Sequence, residues 1–160
     1  MDRKTFITKV LECEKTLYNV SKSILINDTD CEDAVQEAIL KAFNKLHTLK
    51  NEEYFKTWLI RILMNECYRL KSKKKISIPY EDCINDLKSE SEKDYSELYI
   101  AIKNLPKRIS ITMVLYYVEG YSIEEIKRIL KIPSGTVKSR LSKGRKLLKT
   151  NLENMEALYE

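Results

Sequence analysis

Between Ile126 and Leu152 nine lysines and arginines occur without a single Asp or Glu. A cation-only stretch of this length suits a polyanion, and the polyanion that meets cations at regular spacing is nucleic acid. A second basic cluster, Arg69, Lys71, Lys73, Lys74 and Lys75, follows a run of aromatic and amide residues that includes Tyr68 and Asn65. Cations beside an aromatic and an amide suit a single strand, whose bases stack while its phosphates are neutralised. The stretch from Asp28 to Glu37 has the opposite sign, with five acids and no basic residue. Bond-making chemistry has little to work with. A lone histidine, His47, cannot furnish a Ser/His/Asp set, and no Walker A loop or G-x-G-x-x-G is present. The cysteines Cys13, Cys31, Cys67 and Cys83 are far apart, with no C-x-x-C pair. No metal and no cofactor are expected, and the thiols read as free in a reducing cytosol. The chain is not expected to be an enzyme.

These residues must be positioned by helices. The chain has 160 residues, only 3 Gly and 3 Pro, and 29 Lys+Arg against 24 Asp+Glu for a net charge of +5. Few turn-formers and abundant Lys, Glu, Leu and Ile predict an all-α fold with no strand. No run approaches the roughly 20 apolar residues of a membrane span, so no direct membrane insertion is expected. Charge that alternates in blocks predicts two small helical domains, residues 1–75 and 95–160, joined by a flexible acidic linker over 76–94. In the first module, periodicity predicts helices over Lys4–Leu25, from an Asp30 N-cap to Leu46, and over Tyr54–Lys73. In the second, helices are predicted from Tyr95 and from Pro106 to Gly120. Ser122 and Glu125 have the spacing of a capping box that opens a short helix to Leu130. Lys131-Ile132-Pro133 is a turn, and Ser134 is expected to cap the last helix.

Two helices joined this tightly form a helix-turn-helix. At 100° per residue, Val137, Leu141, Gly144 and Leu148 share one arc of the last helix, expected to pack on the helix before it. The opposite arc carries Ser139, Ser142, Lys143 and Lys146, with Lys138 and Lys149 at its edges. Lys138 and Lys143 are assigned mainly to bases; Arg140, Arg145, Lys146 and Lys149 lie farther around or along and are assigned mainly to phosphate. In the predicted helix from Asp30, Ala34, Val35, Ala38, Ile39, Ala42, Phe43 and Leu46 form the apolar stripe. Leu40 points the other way, among Asp33, Gln36, Glu37 and Asn44. It is either a stray exposed leucine or a docking point for a basic partner helix. In the helix from Tyr54, Phe55, Trp58, Leu59, Ile62, Leu63, Cys67 and Leu70 share a core face. Thr57, Arg61, Met64, Asn65, Tyr68 and Ser72 lie opposite, continuing into Arg69 and the lysine cluster. Glu66 falls inside the apolar arc and is expected at its rim.

The run from Pro133 to Arg145, PSGTVKSRLSKGR, strongly resembles the promoter-reading helix of bacterial sigma factors of the extracytoplasmic-function group. Leu105-Pro106 and Glu119-Gly120-Tyr121-Ser122-Ile123-Glu124-Glu125-Ile126 resemble the start of that group's fourth region. Asp33-Ala34-Val35-Gln36-Glu37, with Ala42-Phe43, resembles the helix that docks on the coiled coil of the RNA polymerase β′ subunit. Phe55 to Ile62, FKTWLIRI, with Asn65 resembles the segment that melts the −10 element. The resemblance covers nearly the whole chain except linker and termini. It departs at Glu66-Cys67-Tyr68, where many members have small residues and an acid.

The resemblance implies an alternative sigma factor, a non-enzymatic initiation subunit. Asp33, Gln36, Glu37 and Leu40 would dock on core RNA polymerase, and Thr57, Arg61, Asn65, Tyr68 and Arg69 would serve the −10 element. A flipped −10 base would sit between Asn65 and the loop His47–Tyr54. Lys138, Ser139, Arg140, Ser142, Lys143, Arg145 and Lys146 would serve the −35 element, with the fourth region also touching the β flap. An anti-sigma factor is the implied regulator, and the location is cytoplasmic, with tethering to the membrane only through that partner. The rival reading is a stand-alone helix-turn-helix regulator that dimerises on DNA.

Overall fold

A computed structural model describes residues 1–77 and 97–159, which fall into two compact units, one from each segment. In the first, α1 (Arg3–Ile24), α2 (Asp28–Asn44) and α3 (Phe55–Ser77) pack on one another, with two short 3-10 turns, Leu46–Thr48 and Glu52–Tyr54, between α2 and α3. In the second, α4 (Glu97–Lys103), α5 (Lys107–Met113), a π-helical turn (Val114–Val118), α6 (Ile123–Leu130) and α7 (Ser134–Tyr159) follow. No strand occurs among the described residues. The predicted linker 76–94 lies outside the described residues apart from its first two, which extend α3.

The helix starts follow from local hydrogen bonding. Asp2 caps α1 by accepting from the Thr5 N–H. Asn27, not Asp30, caps α2: its Oδ1 accepts from the Asp30 N–H at 2.7 Å, so the helix begins three residues earlier than periodicity suggests. Asp30 sits in the first turn instead, buried against Asn27 Nδ2 and Lys74 Nζ. Asp28 is likewise taken up internally, accepting from the Tyr18 hydroxyl and the Lys22 ammonium. The acidic run is therefore partly consumed by the fold, and Lys74 of the basic cluster with it.

α2 approaches α3 closely because Cys31, Ala34, Ala38 and Ala42 have no measurable exposure. α3 lies against both α1 and α2, so its buried arc is wider and rotated from the single face expected. Ile60 and Met64 are buried along with Phe55, Leu59, Leu63 and Cys67, while Trp58, Ile62 and Leu70 are half-buried. Met64, expected on the polar face, belongs to the core. Phe43, expected in the stripe, is largely exposed but meets the Phe6 ring edge-on, with centroids 5.4 Å apart. Cys13, Cys31 and Cys67 are buried. Burial pushes the Cys13 thiol up, and burial beside Cys31 pushes the Cys67 thiol up to about 12.

In the second unit, Pro106 caps α5, its carbonyl accepting from Ile109 and Ser110. The helix then widens into the π turn, where the Glu119 N–H reaches back to Val114, and ends at Gly120 with φ +72°. That left-handed position suits glycine. The capping box of α6 is formed as expected: Glu125 N–H donates to Ser122 Oγ at 3.2 Å, and Ser122 N–H to Glu125 Oε2 at 2.8 Å. Lys131 closes α6 in the left-handed region at φ 55°. α7 starts one residue earlier than expected. The Pro133 carbonyl accepts from Thr136 and Val137, so Ser134 is the first helical residue rather than the cap.

Gly144 corrects the expected packing of α7. A Cβ there would lie 2.7 Å from Met113 Sδ and 3.0 Å from Ile109 Cγ2, so this position of α7 faces α5, not α6. Met113 is 1% exposed and has little room to move. Gly144→Ala is expected to lower stability by about 1 kcal/mol, because an overpacking cost of about 1–3 kcal/mol exceeds a helix-propensity gain of about 1 kcal/mol. Urea unfolding followed by circular dichroism measures the sign, and a rise would show Met113 swinging aside.

Candidate nucleic-acid interface

The helix-turn-helix sets α7 on a buried line of Val137, Leu141, Gly144 and Leu148. Away from that line, Lys138, Ser139, Lys143, Arg145 and Lys146 are exposed, Ser142 is half-buried, and Arg140, half-buried, flanks the line itself. The helix thus carries the expected cation and hydroxyl face. Ser139 Oγ donates to the Thr136 carbonyl at 3.2 Å, which leaves its oxygen as an acceptor toward an approaching base edge. Arg145 Nη1 donates to the Tyr117 hydroxyl at 3.1 Å, so the π turn steadies one of the cations assigned to phosphate. Tyr117 escaped sequence reasoning, since 28 residues separate the two and no local spacing links them.

On α3 the candidate set is less uniform. Asn65 and Tyr68 are exposed, and Thr57 and Arg61 are half-buried two turns and one turn before Asn65, respectively. They lie along one side of the helix, as expected. Arg69 is exposed but is drawn back to Glu66, its Nε donating to Oε2 at 2.8 Å.

Glu66 is the main departure from expectation. It is 5% exposed, not at the rim. Lys41 Nζ of α2 donates to its Oε1 at 2.6 Å, and Arg69 holds the other oxygen. Burial, the largest influence, works to raise the Glu66 carboxyl, but the bonds and charges of Lys41 and Arg69 outweigh it and hold the group below its ordinary value. The Arg69 partner was legible at i+3 spacing. Lys41, 25 residues away, was not.

The face of α2 opposite its alanines carries Asp33, Gln36, Glu37 and Leu40, with Leu40 56% exposed. Glu37 reaches Lys41 at 3.6 Å. The four expected docking residues therefore share one solvent-facing surface. Among the described residues no group of His, Cys, Asp or Glu could hold a metal ion, and no helix is long and apolar enough to cross a membrane.

Residues 10–76 match the family model Sigma-70 region 2, and residues 95–148 match Sigma-70, region 4. The chain is 31% identical over 149 residues to RNA polymerase sigma factor SigV of Bacillus subtilis, covering 91% of this chain and 90% of that protein. It is 29% identical over 146 residues to the ECF RNA polymerase sigma-E factor of Haemophilus influenzae, covering 80% and 77% of the two. Among solved structures, it resembles the sigma factor RpoE in complex with the anti-sigma factor NepR from Bartonella quintana. The TM-score is 0.75 at 24% identity, over 94% of this chain and 98% of that one. CnrH in complex with the cytosolic domain of CnrY shares the fold at TM-score 0.71 and 20% identity, over 96% and 90%. A match in the first module as well as the second disfavours a stand-alone helix-turn-helix regulator. The chain belongs to the sigma-70 family, as a non-enzymatic sigma factor of the extracytoplasmic-function group that directs transcription initiation.

Proposed function

We propose that the first module, residues 1–75, docks on core RNA polymerase and opens the −10 element, and that the second, 95–160, reads the −35 element. The observation that carries this is the pairing of two solvent-facing sides on helices of the first module, with Asp33, Gln36, Leu40, Asn65 and Tyr68 exposed and Glu37, Thr57 and Arg61 half-buried. α2 presents Asp33, Gln36, Glu37 and Leu40, and α3 presents Thr57, Arg61, Asn65 and Tyr68. The first face suits the basic coiled coil of the β′ subunit, and the second suits a separated strand. The second module meets the β flap and places α7 in the major groove, with Lys138, Ser139, Ser142 and Lys143 toward bases and Arg140, Arg145 and Lys146 toward phosphate. Arg69 joins the −10 set. The protein acts in the cytoplasm and is held inactive by an anti-sigma factor, a reading supported by the likeness to RpoE, which is bound to the anti-sigma factor NepR.

The test reconstitutes holoenzyme from the purified chain and core polymerase and follows promoter opening by permanganate footprinting. Asn65→Ala and Tyr68→Ala are each expected to weaken binding of the single-stranded non-template −10 strand about tenfold, since a stacked base contributes about 1–3 kcal/mol. Binding of the −35 duplex is expected to stay unchanged. A normal bubble with both variants would refute the assignment of this face.

A further inference from the structure

Glu66 is the most buried carboxylate among the described residues and belongs to neither exposed face. A carboxylate removed from water must be paired. Its two oxygens are divided between two helices: Oε1 accepts from Lys41 of α2, and Oε2 from Arg69 of α3. Lys41 also reaches Glu37 at 3.6 Å, one turn earlier on α2. A continuous line of charge, Glu37–Lys41–Glu66–Arg69, therefore runs from the proposed polymerase face to the proposed strand-opening face.

The Arg69 side chain is 41% exposed. An exposed arginine ordinarily samples many rotamers, and ordering it on a ligand costs entropy. Here the bond to Glu66 uses Nε alone, and the guanidinium has four further N–H donors on its two Nη atoms. Arg69 also stands one helical turn beyond Asn65 and next to Tyr68.

We propose that Glu66 is a positioning residue for strand opening: it fixes Arg69 so that the guanidinium meets a phosphate of the non-template strand beside the base held by Asn65 and Tyr68, and through Lys41 it ties that placement to the docking helix. The proposal rests on the sigma-factor reading of the exposed face of α3. A carboxylate that merely completed a buried ion pair would have an effect of opposite sign. Removing a negative charge next to a DNA-binding face raises affinity for DNA by simple electrostatics, whereas removing a positioning residue lowers it.

The experiment uses holoenzyme assembled from the full chain and core polymerase, with a fluorescent single-stranded −10 oligonucleotide titrated at several salt concentrations. Arg69→Ala is expected to weaken binding about tenfold and to reduce the salt slope by about 0.7, the value for one phosphate on a single strand. Glu66→Gln is expected to weaken it about three- to tenfold, as a charge-assisted bond is lost, with core affinity and −35 duplex binding unchanged. Glu66→Leu leaves Lys41 and Arg69, both partly exposed, to be hydrated by water, and is expected to do the same while circular dichroism shows the helices retained. Combining Glu66→Gln with Arg69→Ala is expected to be no worse than Arg69→Ala alone. Strand binding by both Glu66 variants that equals or exceeds that of the unmodified protein, while Arg69→Ala binds more weakly, would overturn the proposal and leave the strand-opening face standing. Unchanged binding by Arg69→Ala would overturn it too, and unchanged binding by Asn65→Ala besides would bring down the reading of α3 itself.

Discussion

Replacing both Gln36 and Leu40 with lysine is expected to abolish binding to core polymerase. Leu40 is 56% exposed and Gln36 lies one turn before it, so neither holds the fold together. Surface substitutions of this kind change stability by about 0.5 kcal/mol or less. The interface consequence is far larger. The variant loses an apolar anchor at the centre of the face and places two cations among Asp33 and Glu37, where a basic partner helix is meant to settle. Losing one well-packed anchor commonly costs about 2 kcal/mol or more, and like-charge contact across an interface costs several more. Affinity is expected to fall at least about a hundredfold. Competition against a labelled sigma factor for core polymerase measures it, with circular dichroism showing that the helices persist. Unchanged competition would remove α2 from the docking surface.

The second large effect is expected in α7, where the cations divide into two kinds. Lys138 and Lys143 lie in its first turns on the exposed side, where approach to the major groove is closest. Removing either is expected to cost about 1–3 kcal/mol and to relax preference at one position of the −35 element. Arg140→Ala, Arg145→Ala and Lys146→Ala are expected to weaken all sequences alike and to flatten the salt dependence by about one unit each. Arg145 stands apart within this group, since its bond to Tyr117 orders it before DNA arrives. Holoenzyme carrying each alanine variant, bound to a randomised −35 library at two salt concentrations, separates the two kinds. Lower affinity with intact base preference for Lys138→Ala and Lys143→Ala would reverse the division.

What could be read from the sequence was whatever local rules govern. The capping box at Ser122, the glycine stop at Gly120 and the side of α7 that faces solvent all depend on residues within a turn or two of one another. The polar side of α2 was legible for the same reason. Errors arose where tertiary contacts decided the outcome. Met64 was assigned to a polar face because one helix viewed alone shows one apolar arc, whereas α3 is covered from two sides. Asp30, placed in the first turn by the Asn27 cap, has its carboxylate paired with Lys74, 44 positions along the chain. Glu66 looked misplaced until Lys41 was seen across the helix interface. In each case a charge or a methionine found its partner in another helix, which periodicity cannot anticipate.

The buried sulfurs of the first module bear on how such a protein senses its surroundings. Oxidants and electrophiles attack the thiolate, and access to it is the first requirement. Cys31 and Cys67 have no exposed surface, Cys13 almost none, and burial pushes the Cys67 thiol up to about 12. At neutral pH burial thus keeps Cys67 in its unreactive thiol form. Peroxide or disulfide stress therefore passes these three positions without leaving a mark. A redox signal therefore does not enter through the three buried thiols of α1, α2 and α3.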